Sequence, residues 1–225
     1  MTVVFNTRVK ERLIEEAGSE IKKGKIVAYP TDTVYGLGTN PSSEDGARRC
    51  FSIKKREMSK PLPILYSSLS EVNRVAVLGR DAHILSGAFW PGKLTMILPL
   101  RKAGSYPEIV TGTNKTVAAR IPSHPFALRL IKHCGGSLIG TSANLSGKKS
   151  IVDPEDPELA KIASKCDFFV KGRCRSAQRA ALSSTIIDLT SEEPAIVREG
   201  AVPAKRVLLT LRRREGTTFP RGTLQ

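Results

Sequence analysis

Strand-like and helix-like segments alternate along nearly the whole of this 225-residue chain, and that alternation restricts the fold more than any other feature. Residues 9–23 place Val9, Leu13, Ala17 and Ile21 four apart with charges between them, and Gly24 follows, which predicts an amphipathic helix with a glycine stop. "KIVAYP" (25–30) reads as a short apolar strand. "EDGARRCFSIKK" (44–55) returns to helical spacing, entered through Ser42 or Ser43 as cap. "PLPILY" (61–66), "KLTMILPL" (93–100), "TVAARIP" (116–122), "SLIGTSAN" (137–144), "DFFV" (167–170), "STIIDL" (184–189) and "AIVREG" (195–200) read as strands. Helical stretches around 71–78, 82–89, 125–134 and 157–166 separate them. The fold class is therefore α/β with a mixed sheet and flanking helices.

The division of the chain follows from composition. Residues 1–201 are expected to fold as one domain. Residues 202–225, ending "RRREGTTFPRGTLQ", are polar and basic, and are expected to form a mobile tail. The 36 Lys and Arg outnumber the 21 Asp and Glu, so the formal charge is +15, of which the tail carries +5. Such a surface draws polyanions by its long-range field. No apolar run is long enough to span a bilayer, and the first residues lack the pattern of a secretory signal, so a cytoplasmic location is expected. Cys50, Cys134, Cys166 and Cys174 show no CxxC spacing and fit buried thiols in a reducing compartment better than a zinc site.

Several familiar chemistries have no motif here. GxxxxGK[ST], HExxH, GxSxG and DxDxDG are missing, and "GLGTNP" has Pro41 where a dinucleotide fingerprint needs its third glycine. A nucleotide site in this chain must be made from side-chain cations, hydroxyls and loop amides.

Four loops, each following a strand, supply such groups, and strand ends are where open α/β sheets bind ligands. "YPTDTVYGLGTNP" (29–41) offers the Thr31 and Thr33 hydroxyls, the Tyr35 phenol, and Gly36 and Gly38 for close backbone approach; a plain Gly/Pro turn is the equal alternative. "SIKKREMSKPL" (52–62) carries Lys54, Lys55, Arg56 and Lys60; taken alone, these are solvated cations favoured at a helix end by its dipole. In "RIPSHP" (120–125), Arg120 is suited to bidentate capture of a carboxylate, with an internal salt bridge as the alternative. "GTSANLSGKKS" (140–150) gathers Thr141, Ser142, Asn144, Ser146 and Ser150, and "SST" (183–185) with Arg198 adds hydroxyls and a guanidinium.

In order, "YPTDTVYGLG", "IKKREMSKPL", "FWPGKLTMIL", "VAARIPSHP", "TSANLSG", "SSTIIDL" and "IVREG" resemble the successive motifs of the YrdC/TsaC family. The resemblance covers roughly residues 10–201, with the KxR and SxN signatures at Lys54–Arg56 and Ser142–Asn144. It implies a twisted sheet around a basic concave cavity. It also implies synthesis of threonylcarbamoyl-AMP from L-threonine, bicarbonate and Mg²⁺-ATP, feeding a transferase that modifies adenosine 37 of tRNA. Carried over by motif, Lys54, Arg56, Ser142 and Asn144 are implied as catalytic. Arg56, Lys60, Thr116, Ser142, Ser150 and Arg198 are implied at ATP, and Thr33, Arg120, Gly140 and Ser184 at threonine. No protein ligand to metal is implied. Two departures stand out: Leu65 occupies a position where longer relatives carry a histidine, and the second domain of those relatives is absent from the chain, which points to the single-domain form. The alternatives are an RNA-binding protein of this fold whose basic surface and tail contact tRNA, and a relative using another carbamoyl or acyl substrate.

Overall fold

The computed structural model describes residues 1–174 and 182–215, which build two mixed sheets rather than the single one the sequence implies. The first sheet runs β1 (Val3–Asn6), β9 (Phe168–Lys171), β2 (Val27–Tyr29), β3 (Gly36–Gly38) and β8 (Thr141–Ser142) from edge to edge. The second runs β11 (Ala195–Arg198), β10 (Thr185–Asp188), β5 (Leu94–Pro99), β6 (Thr116–Arg120), β4 (Ile64–Tyr66) and β7 (Ser137–Ile139). Parallel and antiparallel pairs occur in both, as the alternation of crossover helices with short connections requires.

The "SLIGTSAN" run is not one strand. Ile139 pairs with Ile64 in the second sheet, while Thr141 pairs with Leu37 in the first, so the chain changes sheets at Gly140. A side chain there has no room: a Cβ on Gly140 would lie 2.3 Å from Leu65 Cγ. Packing also explains two glycines that the sequence reading assigned to close approach of a ligand. A Cβ on Gly38 would stand 2.1 Å from the Ile139 carbonyl oxygen, and one on Gly36 would stand 3.0 Å from the Tyr29 ring. Both lie in β3, a strand where the sequence suggested a loop.

Helices cover the sheets with the faces that their periodicity predicts. α1 (Glu11–Lys22) buries Ile14, Ala17 and Ile21 against Phe126, Leu130 and Ile131 of α6 (Pro125–His133), at roughly 1.5–3 kcal/mol per large side chain. α2 (Glu44–Lys54) is capped by Ser43, whose hydroxyl accepts the Gly46 amide proton at 3.1 Å. α3 (Leu69–Val75), α4 (Arg80–Phe89), α5 (Glu108–Thr111) and α7 (Pro157–Ala163) complete the layers up to residue 174.

The expected mobile tail is partly corrected. Residues Ala204–Glu215 form α8, with Val207 and Leu211 one helical turn apart and buried in the core of the second sheet. The Arg206 guanidinium lies 5.5 Å from the centre of the Phe89 ring on α4. Val207 and Leu211, four apart, seat this otherwise basic helix on that core. Residues 216–225 lie outside the described residues.

All four cysteines are buried and free. Burial pushes the Cys50, Cys134 and Cys166 thiols up to about 12 and Cys174 to about 11, from an ordinary 9.0. The unfolded chain ionises its thiols near pH 9 while the folded one keeps them protonated, so stability present below pH 9 is lost as pH rises. Four thiols together give a slope of about 5 kcal/mol per pH unit near pH 10. Buried Lys54, lowered from 10.5 to about 8, acts in the opposite sense by about 1.4 kcal/mol per unit between those values. Urea unfolding at pH 8.5, 9.5 and 10.5 is expected to show a fall of at least about 4 kcal/mol per unit above pH 9.5. The phenols of Tyr29, Tyr35, Tyr66 and Tyr106, also raised by burial from an ordinary 10.0, add to the loss. A flat profile would contradict the burial of the thiols.

Candidate active site

A cavity of about 230 Å³ opens where the two sheets face each other. The loop before β3, β3 itself and β8 supply one wall; β4, β5, β6, β10 and β11 supply the other. Three guanidiniums, those of Arg56, Arg120 and Arg198, reach it, together with the hydroxyls of Thr33, Thr95, Thr116, Ser142 and Ser184. Among the described residues no carboxylate lines the wall. Val34, Leu65, Ile97, Ala118 and Ile186 give apolar surface between the polar groups.

The end of α2 places the first guanidinium. Lys55 adopts a left-handed conformation (φ 50°), which stops the helix and turns the chain. The Arg56 amide donates back to the Phe51 carbonyl at 3.0 Å, and its guanidinium donates to the carbonyls of Lys60 (3.3 Å) and Pro61 (3.0 Å). Arg198, on β11, donates twice to the Ser184 carbonyl, at 3.2 and 2.8 Å. Burial lowers the pKa of both guanidiniums. At Arg198 the nearby charges of Arg120 and Arg56 add to that effect. Cations that disfavour each other in a half-buried space are relieved by an anion.

Arg120 is held differently. Its Nε donates to the Gly92 carbonyl at 2.8 Å, one terminal nitrogen to Thr33 Oγ1 at 3.1 Å, and the other to Asp32 Oδ1 at 2.5 Å. The internal salt bridge is therefore present, yet the guanidinium still borders the cavity. Three of its five N–H groups are used, which leaves one on each terminal nitrogen as a fork. Nearby, Thr33 Oγ1 lies 3.0 Å from Thr31 Oγ1, and Ser184 Oγ lies 2.8 Å from Thr95 Oγ1.

Of the twelve residues implied at catalysis, ATP or threonine, Thr33, Arg56, Thr116, Arg120, Gly140, Ser142, Ser184 and Arg198 share this one cavity, and Thr31, Tyr35, Gly36 and Thr141 from the same loops line it too. Four of the twelve do not line it. Lys54 is 2% exposed, and its ammonium donates to the carbonyls of Ser142 and of Asn144, the latter at 2.7 Å. Its own carbonyl accepts the Ser146 amide proton at 2.9 Å, so it ties α2 to the 142–146 segment. Lys60 is exposed and paired with Glu57 at 3.0 Å. The Asn144 side-chain amide donates to the carbonyls of Leu145 (2.9 Å) and Lys148 (2.6 Å), bracing the loop from within. Ser150 lies 3.3 Å from the Ser183 hydroxyl. Tyr35 also borders the cavity, and its phenol donates to the Gly172 carbonyl at 2.6 Å.

Two contributors escaped the sequence reading. Thr95 is a buried hydroxyl set between Leu94 and Met96 in a strand, an interruption of an apolar run that is itself a signal. Asp32 is a fully buried carboxylate between two threonines, marked only by standing in a loop rich in hydroxyls.

Residues 19–200 match the Sua5/YciO/YrdC family, described under the heading of telomere recombination. The threonylcarbamoyl-AMP synthase of Pyrococcus abyssi is 37% identical over 213 residues, which cover 92% of this chain and 60% of that relative. The enzyme of that name from Bacillus subtilis is 31% identical, over 86% of this chain and 55% of its own length. A putative threonylcarbamoyl-AMP synthase of Methanocaldococcus jannaschii is 34% identical over 90% of this chain and 93% of its own. Among solved structures, P. abyssi Sua5 complexed with L-threonine superposes with a TM-score of 0.83 at 34% identity, over 94% of this chain and 61% of that one. E. coli YciO gives 0.78 at 26% identity, over 91% and 98%. The chain thus spans little more than half the length of the first two relatives.

Proposed function

The chain belongs to the Sua5/YciO/YrdC family, and from that premise we propose that it is a threonylcarbamoyl-AMP synthase. The observation that carries this reading is the cavity between the sheets, lined by three arginines, by threonine and serine hydroxyls and, among the described residues, by no carboxylate. It suits an amino acid and a nucleotide triphosphate held side by side.

In this reading the free N–H groups of Arg120 take the threonine carboxylate, with Thr33 and Ser184 beside its amine and hydroxyl. The neutral amine attacks the carbon of bicarbonate; an N–C bond forms and water leaves, giving a carbamate. A carbamate oxygen then attacks the α-phosphorus of ATP. The new O–P bond forms as the bond to the bridging oxygen breaks, and pyrophosphate departs with that electron pair. Arg56 and Arg198 face the charge that builds on the leaving group, so positioning and charge neutralisation carry the rate. Mg²⁺ would arrive with the nucleotide and neutralise phosphate charge, the wall offering it hydroxyls and, among the described residues, no carboxylate. The apolar surface and partial enclosure shield the labile carbamate from water.

The product is a mixed anhydride whose carbamoyl carbon must pass to an amine. In this reading it goes to adenosine 37 of a tRNA through a separate transferase. Among the described residues no helix is long and apolar enough to cross a membrane.

The test is to incubate the protein with L-threonine, bicarbonate and Mg-ATP and to measure pyrophosphate and the adenylate together. Both should appear only when all three substrates are present. Arg56→Ala is expected to slow pyrophosphate release more than tenfold, about 1.4 kcal/mol of transition-state stabilisation. Absence of the adenylate from the unaltered protein, with a shift of RNA on a native gel, would favour the RNA-binding alternative.

A further inference from the structure

Asp32 belongs to no wall of the cavity, yet it governs the charge of one end. Its side chain is fully buried and that of Arg120 is 6% exposed, with 2.5 Å between them. The second carboxylate oxygen accepts the Ser123 hydroxyl at 3.1 Å, so the acid is held from both sides. The other two guanidiniums are treated differently. Arg56 and Arg198 donate to backbone carbonyls, and among the described residues neither makes an ion pair. Glu57 lies near Arg56 but is engaged by Lys60.

The cavity is therefore electrically divided. At one end a buried carboxylate cancels the charge of Arg120 and leaves it directional N–H donors. At the other end two guanidiniums stand with only neutral partners. We propose that Asp32 is a positioning and specificity-determining residue: it reserves the Arg120 end for a singly charged carboxylate and directs polyanionic phosphate to Arg56 and Arg198. A bare guanidinium at the Arg120 end would attract a phosphate chain as readily as an amino acid, and the nucleotide would then block its own co-substrate. The Asp32 contact also fixes the plane of the fork, because Gly92, Thr33 and Asp32 each hold a different nitrogen of the guanidinium.

This rests on the reading of the cavity as an amino-acid and nucleotide site, so the test uses binding rather than turnover. Inorganic pyrophosphate and L-threonine are titrated separately by calorimetry into the unaltered protein, Arg56→Ala, Asp32→Asn, and the double variant Asp32→Asn/Arg56→Ala. Pyrophosphate affinity should fall at least tenfold in Arg56→Ala and recover at least tenfold in the double variant, where threonine should now compete with it. A damaged fold does not create affinity for pyrophosphate, so this gain separates charge control from a structural role. In the unaltered protein, saturating pyrophosphate should change threonine affinity less than twofold.

A double variant that binds pyrophosphate no better than Arg56→Ala would overturn the proposal. So would displacement of threonine by pyrophosphate from the unaltered protein, a measurement that decides the matter if the Asn variants do not fold. Failure of the unaltered protein to bind threonine at all would instead reject the amino-acid reading, and the pyrophosphate titrations would still report the charge division.

Discussion

Arg120→Ala is expected to cost about 3–5 kcal/mol of folding stability and to abolish the threonine dependence of adenylate formation. The two losses have one cause. The substitution leaves Asp32 fully buried with its charge uncompensated and, among the described residues, with the Ser123 hydroxyl as its side-chain donor. It also frees the carbonyl of Gly92 and the hydroxyl of Thr33 from their donors. Urea unfolding at pH 7.5 measures the first effect, and threonine titration under saturating Mg-ATP the second. The double variant Asp32→Asn/Arg120→Gln removes both charges, so it should recover most of the stability and none of the threonine response. If the single variant unfolds like the unaltered protein, the buried pair does not hold the site together. If it is unstable but uses threonine normally, the fork does not bind the carboxylate.

Lys54→Met should separate rate from stability in the opposite way. The buried ammonium carries a desolvation cost, expressed in its pKa of about 8, and an apolar side chain of similar length removes that cost. It also leaves the Asn144 carbonyl without its ammonium donor, at roughly 1–3 kcal/mol, while the Ser142 carbonyl keeps the Asn144 amide proton at 3.0 Å. These terms oppose one another, so the unfolding free energy should move by no more than about 2 kcal/mol. The rate should not be spared, because Lys54 ties the helix end that presents Arg56 to the strand that presents Ser142. A loss of about a hundredfold in turnover is expected, about 2.7 kcal/mol in the barrier, with pyrophosphate affinity nearly unchanged. Loss of pyrophosphate binding as large as the loss of rate would instead make Lys54 a direct phosphate ligand. The variant should also steepen the alkaline fall in stability by about 1.4 kcal/mol per pH unit between pH 8 and 10, since Lys54 alone opposes the thiols there.

What could be read from sequence followed what a residue reveals about its neighbours in the chain. The spacing of Ile14, Ala17 and Ile21 displays a helix face, and Ser43 ahead of a helical run displays a cap; both elements formed as read. The cationic and hydroxyl residues were legible by type, and seven of those implied at the substrates (Thr33, Arg56, Thr116, Arg120, Ser142, Ser184 and Arg198) meet in one cavity. Direction was not legible. Lys54 and Arg56 stand two residues apart, yet the left-handed turn at Lys55 sends one side chain into the protein and the other to the cavity. Nor did local pattern show that "SLIGTSAN" crosses between sheets, because β-strands on either side of Gly140 look alike until their partners are known. The basic composition of α8 concealed Val207 and Leu211, whose burial depends on a helix more than a hundred residues earlier in the chain.

The passage of the chain through Gly140 has a mechanical consequence. One residue separates a strand of the second sheet from a strand of the first, and the cavity lies along that seam. The two sheets are distinct hydrogen-bonded plates, so a ligand touching Ser142 on one and Arg120 or Ser184 on the other acts as a rivet between them. Its binding energy then resists the plates parting as well as filling the space. Ligands that reach both plates should protect the amides of β8 and β10 from hydrogen exchange together, whereas a fragment confined to one plate should protect only its own side.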